Sequence, residues 1–232
     1  EERELTILLA IDVSESGSFG STNRSKRERL AELGALLAFS ANKNGDKVGL
    51  LLFSDRTEKY LPPNKGQKHV LRILREILFH ANKSKGTDLN DGLRFINRVM
   101  RRRAVVFLLS DFIIPEFDYT DEPLEDLFFK ELAATRRKHD LVCARIHDPH
   151  ELEIPNVGIV QFEDAETGER ELIDTGCRNF RENYLKKNRE GREEFEKRLR
   201  RRGVDSFDFS TDSDYVRSLK EFFRMRKSRR SR

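Results

Sequence analysis

Five short apolar runs, at residues 5–11, 48–53, 104–109, 141–146 and 204–209, recur along the chain, and the segments between them switch to helical spacing. Uninterrupted runs of this length suit strands buried on both faces, which requires helices on each side of one sheet. The pattern predicts an α/β fold with strands buried on both faces. Between the first two runs Leu30, Leu33, Leu37 and Ala41 recur at threes and fours, and Asn44-Gly45 ends that stretch as a helix-end signal. Val70, Leu74, Ile77 and Leu78 mark a second helical stripe, and Leu89, Leu93, Ile96 and Met100 a third. Leu124, Leu127 and Phe128 mark a helix before the fourth run. Residues 56–61 read as an antiparallel edge strand that Pro62-Pro63 stops.

Past residue 147 the pattern changes. Two alternating segments, 157–162 and 170–173, flank Glu166-Thr167-Gly168-Glu169 and predict a β-hairpin excursion spanning roughly residues 148–175. Residues 178–202 carry Phe180, Tyr184, Phe195 and Leu199 among many charges, the mark of a surface helix whose charge run is a solvated face. Ser210-Thr211-Asp212-Ser213 supplies capping residues for a closing helix that should bury Tyr215, Val216, Leu219, Phe222 and Phe223. At 232 residues the chain suffices for one well-buried domain, expected over residues 1–226, with a basic tail at 227–232.

The 45 basic and 41 acidic residues nearly cancel, and the excess collects in the stretch from Arg224 to Arg232, which reads as a solvated tail. No apolar stretch approaches the roughly 20 residues of a bilayer span, and the N-terminus lacks the basic and apolar regions of a signal peptide. Cys143 lies inside an apolar run and Cys177 begins a charged helical pattern, so a disulfide framework is not expected and a reducing, cytoplasmic setting fits. The chain opens at Glu1-Glu2-Arg3 without methionine, as a piece of a longer protein would, and an upstream membrane anchor would lie outside it.

Three loops carry the chemistry. The first apolar run leads into Asp12-Val13-Ser14-Glu15-Ser16, Gly86-Thr87-Asp88-Leu89 opens the third helical stripe, and Phe107-Leu108-Leu109-Ser110-Asp111 closes the third run. If those runs are parallel strands, Asp12 and Asp111 both fall just past carboxyl ends, where open α/β sheets form ligand crevices, and Thr87 can face the same crevice. Two serines, a threonine and two aspartates form an all-oxygen set suited to Mg2+, with Mn2+ or Ca2+ as alternatives. Neutral hydroxyls leave such an ion with uncompensated charge, so a vacant position would attract an outside carboxylate. The set is then a grip for a protein partner, with no catalytic residue. Each piece has a plainer reading: Ser14 or Ser16 as a turn or cap residue, Thr87 as the N-cap of its helix with Asp88 and Asp91 near the positive helix end, and Asp111 as a strand-end turn. Their coincidence at three matching topological points favours the ion.

In this order, Asp12-x-Ser14-x-Ser16, Thr87 and Asp111 resemble the metal-ion-dependent adhesion site of von Willebrand factor A domains. Further segments resemble the bacterial family called domain of unknown function 58: Asn44-Gly45-Asp46-Lys47-Val48-Gly49-Leu50-Leu51-Leu52-Phe53, Tyr60-Leu61-Pro62-Pro63, Gly86-Thr87-Asp88-Leu89, and Arg103 through Phe112. His139-Asp140-Leu141-Val142, Asp164-Ala165-Glu166-Thr167-Gly168-Glu169 and Ser210-Thr211-Asp212 extend the likeness over nearly the whole chain. The resemblance implies a Rossmann-like, mostly parallel sheet of about six strands flanked by helices, with an ion at its carboxyl-terminal edge. There Ser14 and Ser16 bind directly, Thr87 binds directly or through water, Asp12 and Asp111 act largely through water, and a partner's Asp or Glu completes the shell. It also implies a MoxR-type AAA+ ATPase as partner, in the assembly or maturation of other proteins.

Two other readings stand beside this one. A magnesium phosphohydrolase of haloacid-dehalogenase type would also place an aspartate after the first strand, but it would want a second Asp two residues on as acid/base, where this chain has Ser14. A nucleic-acid or anionic-surface binder would work through Arg224 to Arg232, where no aromatic side chains interleave to stack bases. His69, His80, His139, His147 and His150 show no metal-ligand spacing.

Overall fold

The structure, a computed structural model, describes residues 4–14, 17, 24–81, 86–113, 124–163 and 170–230. Its centre is a six-stranded sheet. Strand β1 (Thr6–Asp12) lies between β2 (Lys47–Phe53) and the strand numbered β4 (Val105–Ser110), parallel to both. The strand β3 (Thr57–Asn64) adds to β2 as an antiparallel edge, and β5 (Asp140–His147) continues from β4. After β6 (Ile159–Glu163) and β7 (Arg170–Asp174), which pair with each other as a separate two-stranded sheet, β8 (Asp205–Ser210) closes the far edge beside β5.

Side-chain alternation along the strands builds two separate cores. On one face Leu9, Ile11, Leu50, Leu52, Phe107, Leu109 and Val142 pack under helices α1 (Lys26–Lys43), α2 (Gln67–Phe79) and the last helix, α7 (Tyr215–Arg230). On the other, Leu8, Ala10, Leu51, Phe53, Val106, Leu108, Leu141 and Cys143 pack under α3 (Leu89–Val99), α4 (Leu124–Lys138) and α6 (Arg178–Arg201). The period of two in each buried run thus serves both layers at once. Chain order places α1 on the first face, leading from β1 to β2, and α3 on the second, leading into β4. The chain therefore departs from β1 in opposite senses, and a crevice opens between the carboxyl ends of β1 and β4.

Several sequence expectations need correction. The Pro62-Pro63 pair does not stop β3, which runs on to Asn64. The register jumps from Leu50 opposite Leu61 to Val48 opposite Asn64, so the two prolines share a bulge facing Gly49, where their missing N–H groups break no ladder. Leu78, expected in the α2 stripe, is exposed, and the stripe is Val70, Ile73 and Ile77. Phe223 is also exposed in α7, whose buried contacts are Leu219 and Phe222, while Tyr215 and Val216 are half-buried. The short helix α5 (Pro149–Leu152) has no counterpart in the sequence reading. The β6–β7 hairpin is present, with its expected turn at Glu166-Thr167-Gly168-Glu169 outside the described residues. Helix α7 continues through residues 227–230. Cys143 is buried, Cys177 is exposed, and both are free. Among the described residues no helix is long and apolar enough to cross a membrane.

Gly49 makes the bulge possible. A Cβ there would meet the Pro63 ring at 2.9 Å and the Leu61 carbonyl oxygen at 3.0 Å, closer than carbon tolerates without movement of the edge strand. Gly49→Val is expected to lower the free energy of unfolding by about 1–3 kcal/mol, read from urea denaturation. An unchanged midpoint would show that the edge yields freely.

Candidate metal site

The crevice begins with the strand register. Ile11 pairs with Leu109, which sets Asp12, the last residue of β1, level with Ser110, the last of β4. Ser110 Oγ donates to Asp12 Oδ2 at 2.8 Å, and the Ser14 N–H donates to Asp12 Oδ1 at 2.9 Å. The chain stays beside β2 for one residue more, as the Val13 N–H donates to the Phe53 carbonyl at 2.8 Å. Asp12, Ser14 and Ser110 are all buried.

On the other side, Ser110 Oγ accepts the Phe112 N–H at 2.9 Å, and Phe112 takes φ 54°, the left-handed region that few residues other than glycine adopt. Its ring, set against Phe128 and Phe195 at centroid distances of 6.1 and 5.4 Å, holds the turn. The sharp bend leaves Asp111 at the mouth of the crevice, with Oδ1 accepting the Ile113 N–H at 3.2 Å.

Thr87 reaches the same edge from α3, but it is not the cap of that helix. Asp88 is, accepting the N–H groups of Asn90 at 2.8 Å and Asp91 at 2.9 Å. The Asp88 N–H donates to the Ser54 carbonyl at 2.8 Å, fastening the start of α3 to the end of β2 and leaving Thr87, half-buried, just ahead of the cap. The threonine hydroxyl is thereby spared the capping task. Of the five candidate ligands, the structure joins Asp12 to Ser14 and sets Asp12 close enough to Asp111 for their charges to interact. Thr87 comes to the neighbouring strand end, and Ser16 lies outside the described residues.

Two participants, Lys26 and Glu151, were missed from sequence. Lys26, the first residue of α1, is fully buried, and its Nζ donates to Asp111 Oδ2 at 2.7 Å and to Glu151 Oε1 at 2.6 Å. Burial opposes its charge, but the carboxylates of Asp111 and Glu151 more than offset this and hold the amine above its ordinary pKa. A partial signal was legible: Ser25 and Glu28 form a capping box, which fixes the start of α1 beside the Asp12 loop. Nothing local marks the lysine as buried.

Asp12 is the complement. Burial first, and then the negative charge of Asp111, push its carboxyl up to about 6, against hydrogen bonds from Ser14 and Ser110 that pull it down. Such a group favours a nearby cation, and the oxygens around it are hydroxyl and carboxylate, the donors preferred by Mg2+, Mn2+ and Ca2+. Among the described residues no three His, Cys, Asp or Glu side chains gather as a metal cage. The donor set fits a hard divalent ion supplemented by water.

The folded-state value of Asp12 lies above the unfolded value near 3.9, so the folded chain binds this proton more tightly. Ionisation therefore costs stability as pH rises from about 4 through about 6. In chelator at pH 7.5, Asp12→Asn is expected to raise the free energy of unfolding by on the order of 2–3 kcal/mol, with the two proteins converging towards pH 4. Equal stability at pH 7.5 would mean that the charge is already compensated.

The fold has known counterparts. Conserved hypothetical protein BatB from Bacteroides thetaiotaomicron superposes with a TM-score of 0.57 at 13% identity, over 96% of this chain and 98% of that one. An aerotolerance-related membrane protein from Bacteroides fragilis gives 0.52 at 14% identity, over 79% and 87%. At these identities the likeness is one of fold alone. An uncharacterized protein of Mycobacterium tuberculosis is 26% identical over 230 residues, covering 97% of this chain and 68% of its relative. The six-stranded, mostly parallel sheet with one antiparallel edge strand is the α/β architecture that the sequence led one to expect. The family model described as "Protein of unknown function DUF58" matches residues 1–194, and the chain belongs to that family.

Proposed function

We propose that this domain is a non-catalytic, metal-dependent protein-interaction module. A divalent ion, Mg2+ by abundance, is held by Asp12, Ser14, Ser16, Thr87 and Asp111, and its remaining position takes an Asp or Glu carboxylate from a partner. The observation that carries this reading is the pair of buried Asp12 and half-buried Asp111 at the crevice between β1 and β4, with Asp12 ionising only against burial and a neighbouring negative charge. An ion there relieves that cost, and the hydroxyls leave it charge enough to hold an anion.

The family resemblance supports a MoxR-type AAA+ ATPase as the partner and the cytoplasm as the setting; free Cys143 and Cys177 agree with a reducing compartment. Against phosphohydrolase chemistry, Ser14 stands where the acid/base carboxylate would be needed. Against a role for the basic C-terminus, Arg226 is already committed within the domain, to Asp140 and to Asp205.

Thermal unfolding tests the ion site. At ten times the dissociation constant, Mg2+ is expected to add about 1.4 kcal/mol and raise the midpoint by roughly 2–4 °C, a response that Asp12→Ala should lose. A rise of the same size in Asp12→Ala would place the ion elsewhere. Capture of the MoxR-type ATPase in Mg2+, abolished by chelator and by Asp12→Ala, is the expected result for the partner. Capture indifferent to both would reject a metal bridge.

A further inference from the structure

Lys26 is an uncommon neighbour for a cation site: a fully buried ammonium bonded directly to one of the proposed ligands. It is also unable to withdraw. Its other contact, Glu151, is fixed at both ends of the residue. The Glu151 Oε2 atom accepts the Asp148 N–H at 3.0 Å in the capping box of α5, and its main-chain carbonyl accepts from Tyr184 Oη at 3.0 Å and Asn188 Nδ2 at 2.9 Å on α6. At the other end of the α5 cap, Asp148 Oδ2 accepts from Thr211 Oγ1 at 2.9 Å. The ammonium is clamped between two anchored carboxylates, and it occupies Asp111 Oδ2 while Oδ1 stays turned to the loop.

We propose that Lys26 is a positioning and charge-setting residue of the ion site: it holds Asp111 by one oxygen and, with Glu151, fixes the net charge of the crevice to suit a divalent ion. The inference rests on the reading of the crevice as an ion site. Lys26 contacts Asp111 and Glu151, and Asp12 lies within charge range of Asp111, so three carboxylates stand against one ammonium and leave two negative charges for the ion to balance. A fixed positive charge beside a divalent ion repels it, so Lys26 also keeps affinity low enough for the ion to share its shell with an incoming carboxylate.

The test is Mn2+ binding to the chain at pH 7.5, read by electron paramagnetic resonance of the free ion, for four proteins together with Asp12→Ala. Lys26→Met is expected to bind Mn2+ about tenfold more tightly than the wild type. Glu151→Gln removes a charge but keeps the α5 cap, because glutamine serves a capping box as glutamate does, and is expected to bind about three- to tenfold more weakly. The double variant restores the net charge and should return to within about threefold of the wild type. Opposite shifts in the two single variants are not what a merely structural role produces. If Lys26→Met proves unstable, Glu151→Gln alone decides. Unchanged affinity in Glu151→Gln, or weaker binding in a folded Lys26→Met, overturns the proposal while leaving the ion site standing, provided that the wild type binds and Asp12→Ala does not. A wild type that binds no better than Asp12→Ala removes the ion site and this inference together.

Discussion

The central sheet is buried on both faces, and that constraint governs where polar chemistry can sit. Leu8 through Ile11, Leu50 through Phe53 and Val106 through Leu109 are almost wholly withdrawn from water, with alternate side chains filling two cores. An unpaired polar side chain inside those layers would cost several kcal/mol, so the hydroxyls and carboxylates of these strands gather where the strands stop. Because β1 and β4 are adjacent and parallel, their stops coincide, and Asp12, Ser110 and Asp111 meet across a sequence gap of nearly a hundred residues.

Placing two carboxylates at one low-dielectric strand end creates an electrostatic problem that the domain resolves in part. Asp12 receives hydrogen bonds from Ser14 and Ser110 but, among the described residues, no ammonium, and its pKa rises. Asp111 receives Lys26, which in turn leans on Glu151. The crevice is thereby linked to α5 and, through the Glu151 carbonyl, to α6, the long charged helix that follows the β6–β7 hairpin. That hairpin pairs with no strand of the main sheet and keeps Ile159 and Leu172 exposed; its base is tied by Thr175, whose Oγ1 donates to the Gly158 carbonyl and accepts the Val157 N–H.

Much of this was legible in the residues because the signals are local. Apolar runs with turn residues between them mark buried strands whatever else the chain does, and the Leu89, Leu93, Ile96 and Met100 stripe is buried as its spacing required. The errors arose where a neighbour overrode a local rule. Pro62-Pro63 reads as a stop, yet on an edge strand facing a glycine the missing donors cost nothing. The plainer reading of Thr87 as a cap fails too, because Asp88 holds that position, and only the cap geometry separates adjacent residues.

By itself the sequence determined the layered α/β class, the order of its strands and of every helix but α5, and the oxygen character of three loops, since each follows from periodicity and side-chain chemistry within a few residues. Which strands became neighbours, and hence that Asp12 and Asp111 share one crevice, was decided by burial of the sheet on both faces. The role of Lys26 belongs wholly to the tertiary structure. A lysine at the start of a helix is ordinarily solvated, and only the arrival of Asp111 and Glu151, 85 and 125 residues further on, supplies the charge that keeps this one buried.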